Sequence, residues 1–124
     1  MLLHWVFKDP RLAPSHKEVI DASTEETPLL VSSMTLWEIA TLYSLSRIEL
    51  EIPLRDFLER AVAPPRIRQV DLTPAIAAEV AALPDSFHRD PGDRVIVATA
   101  RVLGATLLTQ NCRIIEAGLV RTLS

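Results

Sequence analysis

Cysteine is nearly absent from this chain. Cys112 is the sole thiol, so no internal disulfide can form, and a reducing cytoplasm is the simple reading. Glycine is almost as scarce, with three residues, which argues against a turn-dense all-β fold. Aromatic side chains make up only 5% of the chain, too few for a surface on which nucleobases stack. Positive charge is not in excess. Thirteen Lys and Arg face sixteen Asp and Glu, giving a net charge of −3 and a pI near 5.6, so no global basic field advertises nucleic-acid binding. A nuclease is still allowed, because a bound cation can meet a phosphate locally. The longest apolar runs fall far short of the ~20 residues of a membrane span. The apolar start, Met1 to Phe7, has no basic leader and meets Lys8 and Asp9 at once, so no signal peptide is expected. Neither G-x-x-x-x-G-K-S/T nor G-x-G-x-x-G occurs, so a phosphate-cradling loop is not expected. No second His or Cys sits at zinc-ligand spacing, and Cys112 has no evident His partner for thiol catalysis.

What the chain does have is apolar content: 48% hydrophobic residues over 124 positions, with a mean hydropathy of +0.21. That is enough for a core, and one domain over residues 1–124 is expected. The nine prolines fall mostly between periodic segments, where they punctuate. Ser15 can cap a helix through Val19 and Ile20. Leu29-Leu30-Val31 reads as a short buried strand, followed by a helix over about Ser33 to Ser46 with Leu36, Ile39, Ala40 and Tyr43 as its apolar stripe. Pro53 opens another helix, Ile67 to Leu72 a strand, and Thr73-Pro74 a helix to Leu83. A helix from Asp90 to Leu103 stops at Gly104. Thr106 to Thr109 is a strand, Cys112 to Ala117 a short helix closed by Gly118, and Leu119 to Leu123 a last edge strand. Strands alternating with helices predict an α/β sandwich with a parallel sheet, whose ligands gather at the carboxyl ends of the strands. Glu38, after one strand, and Asn111, after another, both fall on that edge.

The segment His88-Arg89-Asp90-Pro91-Gly92-Asp93-Arg94 opens the Asp90–Leu103 helix. Two carboxylates three residues apart at a helix start point the same way, and Glu38 begins another amphipathic helix. Carboxylates from separate helices brought to one spot suit a hard divalent cation. Each has a plainer reading. Asp90 is a good N-cap and Asp93 suits the positive helix end. Glu38 fits a capping box with Thr35. Asn111 can be a turn residue, Trp37 a packing residue, and Arg94 the partner of a nearby carboxylate. His88 as a metal ligand or base is the minor reading.

In combination these pieces resemble the PIN-domain family, specifically the VapC-like toxins of toxin–antitoxin pairs. The resemblance runs through Asp9-Pro10-Arg11-Leu12, Ser32 to Ala40, Leu83-Pro84, His88 to Arg94, Ala98-Thr99-Ala100 and Leu107 to Asn111. It implies a three-layer α/β/α fold and a Mg²⁺- or Mn²⁺-dependent endoribonuclease. Glu38 matches the family's helix glutamate, Asp93 its metal-binding aspartate, and Asp90 an accompanying acid. Asn111 stands where many members have Asp, and would orient water or bind metal weakly. Arg94 would steady the acids. An RNA substrate, an antitoxin partner, and a homodimer or toxin–antitoxin hetero-oligomer are implied; no membrane partner is. The chain departs from the family in one respect. Members begin with a strand ending in an Asp-Thr-His-like segment, then an apolar helix, and Leu2-Leu3-His4-Trp5 looks like that helix already under way. The first strand and its aspartate are therefore expected to be missing, with Asp9 too late to replace it and metal affinity and activity weakened. The rival expectations are a degenerate domain that only binds antitoxin or a like subunit, and a plain scaffold whose acids are caps.

Overall fold

The computed structural model describes the backbone of residues 2–5 and, beyond them, residues 24, 26, 28–65, 67–109 and 111–123. The helix expected from Ser15, and Asp9, lie outside the described residues. In chain order the elements are β1 (Leu2–Trp5), β2 (Leu29–Ser32), α1 (Ser33–Ser44), α2 (Leu54–Ala61), β3 (Ile67–Val70), α3 (Pro74–Ala82), α4 (Pro91–Leu103), β4 (Thr106–Leu108), α5 (Cys112–Ala117) and β5 (Thr122–Leu123). The strands form one sheet in the order β3-β2-β1-β4-β5, every neighbouring pair parallel. The chain runs outward from β1 to β3, then returns to the other side of β1 for β4 and β5. The reversal occurs at β1, and a ligand crevice is expected above the carboxyl ends there.

Leu2–Trp5 corrects the expected helix. It is the central strand, pairing Leu3 with Leu30 of β2 on one side and with Leu107 of β4 on the other. A four-residue apolar run has no readable period, and strand and helix look alike at that length. What decides is the sheet: β2 and β4 both present backbone donors and acceptors that only an intervening strand can satisfy. The place expected to be empty is thus filled, by a segment without a carboxylate.

One helix stripe also differs from expectation. On α1 the buried residues are Thr35 and Ile39, while Tyr43 is exposed and Trp37 is 56% exposed. The apolar residues outnumber the positions the sheet can cover, so part of the stripe faces outward. Trp37, expected to pack, has no core position. The caps explain the boundaries. Ser32 accepts a hydrogen bond from Met34 N–H and starts α1, so Thr35 and Glu38 do not form its capping box. Thr73 accepts from Ile76 N–H at the start of α3. Gly104 and Gly118 end α4 and α5 with φ of 62° and 64°, the left-handed conformation that glycine adopts without Cβ strain.

Helix α4 carries the core. Gly92, Asp93, Arg94 and the run Ile96 to Ala100 are all buried, because the helix is enclosed by the sheet, α1 and α3. Ile96, Val97 and Ala100 pack with Leu30, Leu107, Ile114, Leu83 and Phe87. Burying an isoleucine side chain of this kind stabilises by roughly 1.5–3 kcal/mol, and a cavity adds to the cost of its removal. Ile96→Ala is therefore expected to lower unfolding free energy by about 2–5 kcal/mol in urea titrations, with Val102→Ala, on the exposed side, changing it by less than about 1 kcal/mol.

Candidate metal centre

Asp93 occupies the first turn of α4 and is only 2% exposed. Asp90, just before the helix, accepts a hydrogen bond from Asp93 N–H through Oδ1 at 3.2 Å, so its plain reading as an N-cap holds. One of its oxygens serves as the cap and the carboxylate remains exposed at the helix end. Glu38 comes from the second turn of α1. One carboxylate oxygen from each of Glu38, Asp90 and Asp93 lies within 4.8 Å of the other two. Residues distant in the chain are thus brought to one point on the carboxyl edge of the sheet.

This arrangement needs close backbone approach. A Cβ built on Gly92 would collide with Glu38 Oε1 and stand 3.3 Å from Asp90 Oδ1. Glycine is a poor helix former, costing about 1 kcal/mol relative to alanine. Here its missing side chain is the space that Glu38 occupies.

Asp93 is held by two side chains on the same oxygen. His88 Nε2 lies 2.8 Å from Asp93 Oδ2, and Asn111 Nδ2 donates to Oδ2 at 3.2 Å. An ionised carboxylate only accepts, so the contact places the His88 proton on Nε2. Nδ1, on the far side of the ring, is buried without a hydrogen-bond partner among the described residues. His88 therefore stands beside the acids as a donor to one of them.

Asn111 is present at the centre but in a different role from the one expected. Its Oδ1 accepts from Arg113 N–H at 2.9 Å and caps α5, while its N–H₂ points to Asp93. Both neighbours agree on that orientation, since a backbone N–H needs an acceptor and a carboxylate needs a donor. The neutral oxygen expected to reach water or metal is occupied by the cap. Thr109, buried at the end of β4, accepts Asn111 N–H at 3.0 Å and fixes the turn.

Arg94 is also not where expected. Its buried guanidinium pairs with no acid among the described residues, and instead donates to the carbonyls of His88 (3.0 Å), Phe87 (2.9 Å) and Pro84 (3.2 Å). It clamps the loop that carries His88, whose ring stacks on Phe87 with centroids 4.5 Å apart. Arg94 thus steadies Asp93 indirectly, through the loop. Sequence reasoning missed Gly92, Thr109 and the donor role of His88. A glycine inside a helix's first turn was the one available signal.

The chain matches the PIN domain family over residues 2–118. It belongs to that family. It is 36% identical over 110 residues to Ribonuclease VapC22 of Mycobacterium tuberculosis, covering 89% of this chain and 81% of that protein. Solved structures share the fold. The crystal structure of VapBC2 from Rickettsia felis bound to a DNA fragment from its promoter is similar with a TM-score of 0.63 at 16% identity, over 88% of this chain and 80% of that one. A toxin–antitoxin complex from Klebsiella pneumoniae gives 0.60 at 20% identity, over 91% and 85%. The three-layer α/β/α architecture with a parallel sheet is thereby that of the PIN fold.

The donor set fits a hard cation. All three groups offer carboxylate oxygens, and oxygens around an octahedral Mg²⁺ at about 2.1 Å lie about 3–4 Å apart. Separations up to 4.8 Å need only small side-chain adjustment. Unscreened by a cation, two carboxylates this close repel by on the order of 3 kcal/mol at an effective dielectric of about 20. The helix end returns only about 0.3–1 kcal/mol per charge. Gly92→Ala is expected to push Glu38 off the cluster. Mn²⁺ affinity by calorimetry should fall about tenfold or more, while the urea midpoint barely moves. Undiminished affinity would mean that Glu38 is not a ligand.

Proposed function

We propose that this chain is a Mg²⁺- or Mn²⁺-dependent endoribonuclease, the toxin of a toxin–antitoxin pair, acting in the cytoplasm as a single PIN-like domain over residues 1–124. The observation that carries this reading is the convergence of Glu38, Asp90 and Asp93 at the carboxyl edge of a PIN sheet. The relative called a ribonuclease supports the reaction, and toxin–antitoxin complexes among the fold neighbours support an antitoxin partner, with a homodimer or a toxin–antitoxin hetero-oligomer as the assembly.

Asp93, Glu38 and Asp90 would hold the ion, Asp93 first because it is buried and oriented. When bound, the ion acidifies a water and stabilises charge on the phosphoryl oxygens. The protein's part is placement. His88 and Asn111 fix Asp93 by its Oδ2. Asp93 N–H fixes Asp90 by its Oδ1. Gly92 admits Glu38. Asp93 is itself only 2% exposed, so each contact it makes is less screened than in water.

Asp93→Asn removes a charge with little change in shape. It is expected to cut Mn²⁺-supported RNA cleavage on the order of a hundredfold or more and to abolish saturable Mn²⁺ binding. Full activity in that variant would reject the mechanism.

A second reading rests on Asn111 and β1. Asn111 spends its oxygen on a cap, and Leu2–Trp5 contains no acid, so the ligand set is short and the domain would only bind an antitoxin or a like subunit. Asn111→Asp separates the two. If the centre binds metal, the added carboxylate should raise Mn²⁺ affinity about tenfold, and Asp can still cap α5. Saturable Mn²⁺ binding absent from both the parent chain and Asn111→Asp would favour the degenerate domain.

A further inference from the structure

Next to the acid cluster lies an open cleft of about 330 Å³, between the Pro84–His88 loop and α5. His88 belongs to both: its Nε2 contacts Asp93, and the residue lines the cleft with Phe87 and Ser86. The opposite wall is formed by Arg113, Glu116 and Ala117, all exposed on α5. The Arg113 guanidinium has no ion-pair partner among the described residues. Arg113 lies two residues after Asn111, whose side chain touches Asp93.

We infer that this cleft receives the nucleotide neighbouring the cleaved phosphodiester of a single-stranded RNA, with Arg113 contacting its phosphate; the inference rests on the ribonuclease reading above. Charge argues first. A phosphate of the strand lying in this cleft needs a cation on its wall, and Arg113 is the unengaged one there. Size argues second. About 330 Å³ is at the small end of ligand sites (about 300–1,000 Å³). It has room for one nucleotide and is too small for a helix about 10 Å wide. Chemistry argues third. Glu116 can accept from a base amine or ribose hydroxyl, and the Phe87–His88 pair offers an apolar floor. A larger cleft of about 430 Å³ is less suited. Its Arg101 is taken by Glu79 (2.8 Å) and the Leu119 carbonyl (2.9 Å), and its Arg121 by the Gly104 carbonyl (3.3 Å).

The test uses the full chain with two readouts. One is RNA cleavage with Mn²⁺. The other is binding of a short labelled single-stranded RNA in EDTA, followed against salt. Arg113→Ala is expected to raise KM about tenfold with kcat little changed, and to reduce the slope of log K against log salt by about 0.7, the loss of one phosphate contact on a single strand. Arg113→Lys should keep the slope. Ala117→Trp, which fills the cleft without removing charge, should raise KM and leave the slope intact. Wild-type KM and slope in Arg113→Ala, or wild-type KM in Ala117→Trp, would overturn the cleft and leave the ribonuclease reading standing. A parent chain that neither cuts nor binds RNA would overturn both.

Discussion

Three carboxylates held within 4.8 Å of one another set the terms for everything around them. Mutual repulsion would drive such groups outward unless each is fixed by something stronger than the field of its neighbours. Among the described residues the surroundings supply N–H donors. The backbone of Asp93 holds Asp90, and His88 and Asn111 hold Asp93. Hydrogen bonds to a charged group contribute about 1.5–3 kcal/mol each, comparable with the repulsion of one pair. The guanidinium next in sequence, that of Arg94, is turned to three carbonyls. An arginine paired to Asp93 would cancel the charge and leave nothing for a cation to bind.

Helix α4 is buried from Gly92 to Ala100, Val95 only partly, and exposed in its last turn. Its first turn bears Asp93 and Arg94, and its later turns bear Ile96, Val97 and Ala100. The site is therefore positioned by the core itself. Asp93 cannot move without shifting a helix enclosed by the sheet and by α1 and α3. Glu38 reaches the site from α1, whose start is set by Ser32 at the end of β2. Asn111 reaches it from the turn after β4, set by Thr109. Two strands on either side of β1 thus deliver the pieces to the point where the sheet order reverses.

Much of this was legible because local chemistry and global fold agree. Asp90-Pro91 marks a helix start and Gly104 a helix end without knowledge of anything distant. The approach of Glu38 to Asp93 was legible only through family resemblance, since no local rule links residues so far apart. Other features were hidden for definite reasons. Leu2–Trp5 is too short for its period to distinguish strand from helix, and only its neighbours in the sheet decide. Trp37 looks like a packing residue until the rotation of α1 is known, and that rotation is set by Thr35 and Ile39 against the core. Arg94 next to Asp93 reads as an ion pair, yet adjacent helix residues point about 100° apart, and the side chain follows its own direction into the loop.

Asn111 shows the limit of matching residues by type. An amide in place of a carboxylate suggests a weaker ligand offering the same kind of oxygen. The geometry gives the amide two jobs that a carboxylate cannot do together: it accepts from Arg113 N–H and donates to Asp93. An aspartate at this position could still cap α5, but it would face Asp93 as a second negative charge, and only a cation between them would make that arrangement favourable. Asparagine thus lets the cluster persist with one negative charge fewer. Were an ion to bind there, stability of the unloaded protein and affinity for the ion would pull in opposite directions at this one side chain.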